Sequence, residues 1–556
     1  MLADAARWSA TPYSVAAADA IARELGLSWT VASILVRRGY ESPAAARAFL
    51  EGADRHDPAL LGDMGAACER ILAHVERGSP IVVHGDYDVD GVSSTAVLVR
   101  ALRRIEARVS WHLPSRMEDG YGLSLATVER LAAEGAGLLV TVDCGITSAD
   151  EVARACELGM EVVVTDHHRP PKRLPACPIV HPAIGGYPFP DLCAAGVAQK
   201  LAEALFARAG RDPALAADDA DIVALATVAD LVPLRGENRR MVREGLEALA
   251  RTRKPGLRAL MKIAALDPGD LNARALAFRL APRINAAGRL QRADAGLELL
   301  LTEDEERAAQ IADELDLLNR ERQDTETRIL FAAEAERARF EGAPAYVLAG
   351  EGWHPGVIGI VASRLVERHH RPTLLIALDG DSGRGSGRSI GPYDLHAGLA
   401  AAADHLVRFG GHRAAAGFEV AAGEVDALRR AFVHHAAASL SPEDLIPEQP
   451  VDAVVPASAL GTRLAEELRL LEPFGQGNEE PALLVPAARV GDARPMGEDG
   501  QHCRFTLSGG GARARAVAFR MAARAITDCG EEAVSAAVTL ELNQWNGTVE
   551  PRVVLR

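Results

Sequence analysis

Acidic and imidazole side chains follow apolar runs at four places in the first half of the chain. The polar segments are HGDYDVDG at 84–91, DCG at 143–145, DHH at 166–168 and DLVP at 230–233. The apolar runs before them cover 81–83, 138–142, 162–165 and 221–229. In an open parallel sheet, ligands bind in the crevice beyond the carboxyl ends of the strands. We therefore expect side chains from these four distant segments to converge on one crevice.

The converging residue types predict a site for divalent cations. Carboxylates that crowd together repel one another and raise each other's pKa unless cations neutralise them. Asp oxygens with one or two imidazoles suit Mn²⁺ or Mg²⁺, and the absence of thiolate ligands weighs against zinc. Two ions bridged by one carboxylate would clamp the attacking and leaving oxygens of a phosphoryl transfer. The candidate residues are His84, Asp86, Asp88, Asp143, His167, His168 and Asp230.

Helix capping is the alternative for each of these acids taken alone, because an Asp after a strand often caps the next helix. Capping accounts for one such residue as well as metal binding does. It accounts poorly for four separate apolar runs that all end in Asp or in Asp-His-His. The repetition favours the metal site.

Three segments of the second half combine glycine with cationic side chains: GWHPGVIG at 352–359, SGRGSGRS at 382–389 and FGGHRAAAG at 409–417. Glycine lets a backbone approach a ligand closely, and the arginine fork grips phosphate through two hydrogen bonds. A helix that starts near 356 would offer its N-terminus to an anion. Tight turns with solvated arginines are the alternative. The predicted phosphate-binding residues are His354, Arg384, Ser386, Arg388, Gly410, Gly411 and His412.

The charge of the chain is unevenly distributed. The formal net charge of −16 argues against a nucleic-acid partner for the surface as a whole. Between residues 235 and 292, however, fourteen basic residues stand against five acidic ones. The segment APRINAAGR at 281–289 lies in this stretch. Its Arg283, Asn285 and Arg289 are predicted to hold phosphate, with pairing to surface acids as the alternative.

Positioning these groups requires two α/β units. Strand-like runs alternate with helical runs over 76–235, which predicts a parallel sheet with helices on both faces. The complete prediction is an α/β protein with short helices at 1–75, the parallel-sheet domain at 76–235, a basic helical extension at 236–302, a long exposed helix at 303–341, a second α/β domain at 342–440, a linker at 441–450 and a small closed β-barrel at 451–556.

The predicted barrel is of the type that binds single nucleic-acid strands through basic grooves and stacked aromatic rings. Candidate stacking residues are Phe505, Phe519 and Trp545, with Arg504, Arg513, Arg515 and Arg520 nearby. Burial in the barrel core is the alternative for these aromatic residues.

The cysteines and the N-terminus bear on location. Seven cysteines form no CxxC pair, which predicts reduced thiols in the cytoplasm and no zinc site. The first residues lack the basic and apolar regions of a signal peptide. No run approaches the 18 or so apolar residues that span a bilayer. We therefore expect a cytoplasmic protein without a membrane partner.

The four polar segments resemble, in order, the motifs of the DHH phosphoesterase superfamily. The resemblance implies that Asp86 binds a first metal, Asp88 a second, and that Asp143 bridges both. It further implies that His84 completes the first site and that His167 and Asp230 complete the second. His168 would contact the scissile phosphate. Asp166 and Asp90 would orient these ligands, and the Gly-Gly-His segment at 410–412 resembles the DHHA1 domain that binds substrate phosphate.

The order of regions is similar to that of RecJ-type exonucleases within this superfamily. The segments APRINAAGR, GWHPGVIGIVASRL, SGRGSGRS and PFGQGN narrow the resemblance to that type. It implies 5′→3′ degradation of single-stranded DNA to mononucleotides in DNA repair and recombination. Arg384, Ser386, Arg388 and His412 would then form a 5′-phosphate pocket. A monomer is expected, with a single-strand-binding protein and a RecQ-type helicase as implied partners.

Two other functions remain open at this point. A DHH–DHHA1 phosphodiesterase acting on short oligonucleotides or cyclic dinucleotides would need neither the basic stretch nor the barrel. A non-catalytic single-strand-binding scaffold would not need its acids, yet all four motifs retain them.

Overall fold

A computed structural model of the protein describes residues 7–115, 122–497, 500–527, 532–545 and 548–556. The first elements are β1 (Arg7–Ser9), α1 (Val15–Leu25), α2 (Trp29–Arg37), α3 (Pro43–Glu51) and α4 (Met64–Glu76). Serines at 14, 28 and 42 cap α1, α2 and α3 by accepting hydrogen bonds from backbone N–H groups. Helices α1–α3 share a core with the C-terminal barrel, whereas α4 packs in the core of the first sheet. The region expected as one N-terminal unit is thus divided between two cores.

The first sheet is parallel throughout, with strand order β3-β2-β4-β5-β6. Helices cover it, so β2 and β4 are buried along their whole length. The apolar run 221–229 differs from the other three runs, which form strands, because it folds as a helix. The elements are β2 (Ile81–His84), α5 (Val89–Arg104), β3 (Val109–His112), α6 (Leu125–Ala133), β4 (Leu138–Thr141), α7 (Ala149–Glu157), β5 (Glu161–Thr165), β6 (Ile179–Val180), α8 (Ala194–Arg208) and α9 (Ala220–Ala229).

Six helices follow: α10 (Gly236–Ala250), α11 (Pro255–Ile263), α12 (Ala273–Ala275), α13 (Ala281–Leu290), α14 (Asp294–Leu301) and α15 (Glu305–Arg337). Helix α15 joins the two halves. Its residues Ile311 and Leu315 pack in the first core, and Ile329 and Ala333 pack in the core beside the second sheet. The helix expected to be exposed is therefore buried along one face.

The second sheet is mixed, with order β10-β11-β9-β8-β7, and only β7 and β8 are parallel. The segment 382–388, for which tight turns were the alternative to phosphate binding, is the central strand of this sheet. The glycines serve packing, since a Cβ on Gly385 would lie 2.1 Å from the Phe418 ring. The elements are β7 (Tyr346–Glu351), α16 (Ile358–His369), β8 (Thr373–Asp379), β9 (Ser382–Arg388), α17 (Leu395–Ala400), β10 (Arg408–Gly411), β11 (Ala415–Ala421) and α18 (Val425–Ser439).

The C-terminal strands form a barrel with order β13-β14-β15-β16-β18-β17, closed by pairing of β14 with β17. Within the expected linker, β12 pairs with β1. The elements are β12 (Glu448–Pro450), β13 (Ala453–Val454), α19 (Thr462–Arg469), β14 (Leu483–Met496), β15 (His502–Gly509), β16 (Ala512–Ala518), α20 (Ala523–Thr527), β17 (Val534–Trp545) and β18 (Thr548–Leu555). Among the helices described, none has the length and apolar character to cross a bilayer.

Arginines of α10 hold the N-terminal helices and the barrel against the first domain. The buried Arg239 guanidinium donates to the carbonyl oxygens of Phe49 at 2.8 Å, Leu471 at 2.8 Å and Leu470 at 3.0 Å. Arg243 donates to the carbonyl oxygen of Leu50 at 2.7 Å. Much of the basic stretch that suggested a nucleic-acid surface is therefore used in contacts within the protein.

Candidate active site

The carboxyl edge of the first sheet gathers three of the four predicted segments. Thr141 on β4 lies in register with His84 on β2 and with Val164 on β5. The segments that continue these three strands therefore leave the sheet side by side. Asp230 reaches the same edge from α9, whose C-terminus it caps.

Acidic and imidazole ligand atoms lie in three overlapping clusters at this edge. His167 Nε2 is 3.1 Å from Asp143 Oδ1 and 3.8 Å from Asp230 Oδ2. Asp143 and His167 each belong to two clusters. Within each cluster the ligand atoms lie within 4.8 Å of one another, and the clusters are Asp86, Asp88 and Asp143; Asp90, His167 and Asp230; and Asp143, His167 and His168.

The electrostatics of these clusters fit divalent cations. Burial, followed by repulsion from Asp90, Asp88 and other carboxylates, raises the pKa of Asp143 well above its ordinary value. The same two causes raise the pKa of Asp230 to about 9. Burial lowers the pKa of His167, which leaves its ring in the neutral form that binds metals. Buried carboxylates that repel one another ionise together only beside compensating positive charge, and Asp and His are ligands suited to Mn²⁺ or Mg²⁺.

Asp166 shapes the turn that carries both histidines. Its Oδ1 accepts from the N–H groups of His167 at 2.7 Å and His168 at 3.1 Å, and His168 Nδ1 lies 2.8 Å away. Its Oδ2 accepts from the N–H of Ile146 at 2.9 Å, in the segment that follows β4. Burial raises the pKa of Asp166, but the bonds with His168 and the backbone outweigh it and the net direction is down. Asp166 stays ionised and fixes two of the four segments relative to each other.

Asp88 and Asp90, in the first segment, each combine a helix-capping role with membership of a cluster. Asp88 Oδ1 accepts from the N–H groups of Asp90 at 2.9 Å and Gly91 at 3.0 Å, so Asp88 caps α5 while belonging to a cluster. Both oxygens of Asp90 accept from N–H groups at the start of α8, from Ala194 at 2.7 Å and Ala195 at 2.9 Å. Asp90 Oδ2 also lies 3.7 Å from His167 Nε2. Asp90, expected only to orient ligands, is thus placed among them.

His84 is not a member of the three clusters. Its buried Nε2 is 3.4 Å from the Gly122 carbonyl oxygen, and its ring stacks on His112 with centroids 5.3 Å apart. His112 ends β3, and His181 follows β6. Sequence reasoning missed both, although each lies at the carboxyl end of a strand in the same sheet.

A second polar group lies where β9 meets the start of α16. Ser386 and Arg388 point to the same side of β9, and Arg388 Nη1 donates to Ser386 Oγ at 3.2 Å. A Cβ on Gly359, in the first turn of α16, would be 3.0 Å from Ser386 Oγ and 3.1 Å from Arg388 Nη2. These two side chains therefore adjoin the positive end of a twelve-residue helix, a favourable place for an anion.

The Gly-Gly-His segment reaches the same end of the second sheet. Ala415 pairs with Arg388, and Ala416 pairs with Gly387 on one side and Gly411 on the other. The N–H of the exposed His412 donates to the Ala415 carbonyl oxygen at 2.8 Å, which closes the turn after Gly410 and Gly411. Arg384 lies farther along β9, opposite Glu419.

Helix α13 contacts both the acidic segment beside Asp88 and the segment before α16. Asn285 Oδ1 accepts from the N–H of Val89 at 3.1 Å, beside Asp88. Arg289 Nη1 donates to the Gly356 carbonyl oxygen at 3.2 Å, and His354 Nδ1 accepts from the Gly356 N–H at 3.1 Å.

The phosphate-binding role of Arg283 and Asn285 stays a prediction, and the structure shows contacts of both residues within the protein. Arg283 pairs with Asp316 at 2.8 Å, and Asn285 holds the backbone of the first segment. The Arg283 guanidinium and the Asn285 Oδ1 atom thus each bind a group of the protein. The sequence alone does not distinguish a polar side chain that links two elements of the fold from one that binds phosphate.

The candidate stacking residues of the barrel differ in exposure. Phe505 is only 4% exposed and belongs to the core, so its prediction as a stacking residue is wrong, whereas Phe519 is 47% exposed. The side chain of Trp545 lies outside the described residues. Register aligns Arg494 with Arg504, and Thr506 with Arg515. The outer arginine face comprises Arg489, Arg494, Arg504, Arg513 and Arg515, all exposed.

Three family models match the chain. The DHH family, N-terminal domain, matches residues 80–227, the DHHA1 domain matches 342–438 and the RecJ OB domain matches 451–556. Fold and site together define a phosphoesterase of the DHH and DHHA1 class, which confirms the predicted fold class.

Relatives and solved structures narrow this class. The single-stranded-DNA-specific exonuclease RecJ of Bacillus subtilis is 36% identical over 100% of this chain and 71% of its own. That of Thermus thermophilus is 40% identical over 88% of this chain and 69% of its own. The crystal structure of RecJ in complex with Mn²⁺ from Thermus thermophilus matches with a TM-score of 0.86 and 34% identity, covering 100% of this chain and 79% of that one. The chain belongs to the RecJ family, as its motifs predicted.

Cation binding is expected to depend on pH because it displaces protons. Without a cation, Asp143 and Asp230 have raised pKa values, so the folded protein keeps protons that the unfolded chain releases above about pH 4. Cation-free stability therefore falls as pH rises from about 4 toward 9. Mn²⁺ should therefore raise the melting temperature more at about pH 8 than at about pH 6. The free energy by which it stabilises the fold should grow by at most about 1.4 kcal/mol per pH unit for each displaced proton.

Melting curves recorded with Mn²⁺ or EDTA at both pH values measure this difference. The variant Asp143→Asn serves as the control and should show a smaller cation effect at each pH. A cation effect of equal size at both pH values would contradict proton displacement.

Proposed function

We propose that the protein is a single-stranded-DNA-specific 5′→3′ exonuclease that hydrolyses phosphodiester bonds and releases mononucleotides during DNA repair and recombination. The observation that carries this proposal is the convergence of Asp86, Asp88, Asp143, His167 and Asp230 at one sheet edge. Membership of the RecJ family supports the same activity.

The acidic clusters would hold two divalent cations, Mn²⁺ or Mg²⁺. As the resemblance implies, Asp86 would hold the first ion, Asp88, His167 and Asp230 would hold the second, and Asp143, which two of the clusters share, would serve both. His84 remains a proposed ligand of the first ion. When bound, the cations supply an activated water and neutralise the charge that develops on the phosphate. Two similar solved structures are of RecJ in complex with Mn²⁺ and with Mg²⁺.

The chain's own residues position the substrate and stabilise its charge. Burial lowers the pKa of His168, but hydrogen bonding to Asp166 and neighbouring carboxylates outweigh this and raise the pKa overall. A protonated ring held through Nδ1 directs Nε2 away from Asp166, where it can donate to an oxygen of the scissile phosphate. Asp166 thereby keeps the proton on His168 and fixes its orientation.

Substitution of Asp143 tests the catalytic role of the clusters. The variant Asp143→Asn keeps the volume of the side chain but removes the shared negative charge, and we expect hydrolysis to fall by at least about 1,000-fold. Binding of single-stranded DNA should change by less than about threefold, since the arginine face is remote from this residue. The assay follows end-labelled single- and double-stranded DNA with Mn²⁺ or EDTA and identifies the products.

The exposed Asp150, which pairs with Arg173 at 2.7 Å on the surface, provides the control. Asp150→Asn should hydrolyse DNA at the normal rate. Near-normal turnover by Asp143→Asn, or cleavage that EDTA does not stop, would refute the metal-dependent mechanism.

The group at the start of α16 is proposed to bind the 5′-phosphate of the DNA end. Arg388, Ser386 and the turn at His412 meet there, with Arg384 farther along the strand and Arg289 and His354 on the adjoining segments. An arginine fork and a helix N-terminus both favour a dianionic terminal phosphate.

Arg388→Ala is expected to raise KM for 5′-phosphorylated strands by about tenfold, because one charge-assisted contact is lost. KM for strands with a 5′-hydroxyl should change little. The exposed Arg408, which pairs with Glu419, supplies the control variant Arg408→Ala. Equal loss for both kinds of DNA end would show that Arg388 does not bind the terminal phosphate.

The arginine face of the barrel is proposed to bind the strand beyond the reacting end. The paired substitution of Arg513 and Arg515 by Glu should weaken binding of long single strands by at least about tenfold and reduce its dependence on salt. Hydrolysis of a dinucleotide, too short to reach beyond the site, should be unaffected.

A charge-matched control replaces Arg23 and Arg463, which are 74% and 82% exposed in the side chain, by Glu. Filter binding at several salt concentrations compares the two double variants. If both bind DNA equally well, the arginine face is not the contact surface.

Several finer points remain predictions from the sequence or from the family resemblance. These are a monomeric state, a cytoplasmic location, and association with a single-strand-binding protein and a RecQ-type helicase. Sedimentation of the purified protein, alone and mixed with each partner, tests the first and the last.

A further inference from the structure

A fully buried histidine lies beside the DHH turn and takes no part in the clusters. His181 is 0% exposed and follows β6, the last strand of the first sheet. Val180 pairs with Thr165 in the parallel ladder, and the N–H of Asp166 donates to the Val180 carbonyl oxygen at 3.2 Å. His181, directly after β6, therefore corresponds in position to Asp166, directly after β5.

The contacts of His181 determine which ring nitrogen carries the proton. The N–H of Ala183 donates to Nδ1 at 3.0 Å, so Nδ1 is an acceptor. Nε2 lies 2.7 Å from the carbonyl oxygen of His168, which can only accept. The ring is therefore neutral, with its proton on Nε2, and it donates one hydrogen bond to the backbone of His168.

The surroundings keep the ring in this position. The segment at Gly62 packs against the same strand so closely that a Cβ there would lie 2.2 Å from the Ile179 carbonyl oxygen and 3.3 Å from the His181 nitrogen. Asp63 Oδ2 accepts from the N–H of Ile179 at 3.1 Å. Strand β6 is thus held from outside, and His181 has a fixed base from which to hold the DHH turn.

We infer that His181 is a positioning residue that fixes the backbone of His168 and so the direction of the His168 ring. Asp166 holds that ring through Nδ1, and His181 holds the same residue through its carbonyl oxygen. Two restraints on one residue leave the imidazole little freedom to turn away from the reacting phosphate. The inference rests on the proposed function, because that function gives His168 its contact with the scissile phosphate.

The test is a double-mutant cycle between His181 and His168. The variant His181→Leu removes the hydrogen bond to His168, and we expect kcat on single-stranded DNA to fall about tenfold with KM nearly unchanged. The variant His181→Gln keeps an N–H donor at the reach of Nε2 and should recover kcat to within about threefold of the wild type. In a His168→Ala background, His181→Leu should lower kcat by less than about twofold, since a residue that acts through His168 has nothing left to position.

His74 provides a matched control. It is also buried in the first domain, but its Nε2 pairs with Glu161 at 3.2 Å, at the amino end of β5. His74→Leu should lower the melting temperature while leaving kcat within about twofold of the wild type. If His181→Leu does not fold, His181→Met replaces it in the cycle, because the flexible thioether fills the space without a donor.

The outcomes separate the two proposals. Wild-type protein that fails to degrade single-stranded DNA with Mn²⁺ would overturn the proposed function and this inference with it. Active wild type combined with an unaffected His181→Leu, or with a loss that is undiminished in the His168→Ala background, would overturn the inference alone. Non-additive loss together with recovery by Gln supports it.

Discussion

Repulsion among buried carboxylates is the constraint on which the rest of this structure depends. Asp86, Asp90 and Asp143 are each at most 4% exposed and lie among other acids. The hydrogen bonds that orient Asp88, Asp90 and Asp166 come mainly from backbone N–H groups. Such dipoles fix a carboxylate in place but supply only partial positive charge. The carboxylates are thus preorganised for cations that bring the missing positive charge. Without cations, the pKa values of Asp143 and Asp230 stay raised and these carboxyl groups tend to keep their protons.

Helix α13 sets the spacing between the two halves of the site. A Cβ on Gly288 would lie 2.3 Å from the Tyr87 carbonyl oxygen, and a Cβ on Gly356 would lie 2.4 Å from that of Arg289. At these two contacts only glycine permits the approach. The metal-binding segment and the segment before α16 therefore both pack against the C-terminal end of the same helix, at the neighbouring residues Gly288 and Arg289.

Sequence patterns predicted the strands and the acidic segments that follow them. They did not predict which side chains bind the backbone of distant residues. The parallel sheet and the four acidic segments follow from apolar runs of β-branched residues that end in Asp, a local signal. Strand β9 was not predicted as a strand, because Gly385 makes room for Phe418, which is distant in sequence. Asn285 and His181 bind backbone atoms of residues far from them in the chain. No composition or spacing rule distinguishes that task from ligand binding.

The role of a charged residue is also hard to predict from sequence, because it depends on how the helix or strand that carries the residue is packed. The arginines of α10 lie on a helix that is packed on several sides, and the carbonyl oxygens at the ends of neighbouring helices become their partners. On the barrel, by contrast, every second residue of β15 and β16 faces outward, and arginines at these positions stay exposed. A stretch with fourteen basic residues thus contributes mainly to cohesion. Five arginines spread over three strands give a protein of net charge −16 a surface that attracts a polyanion.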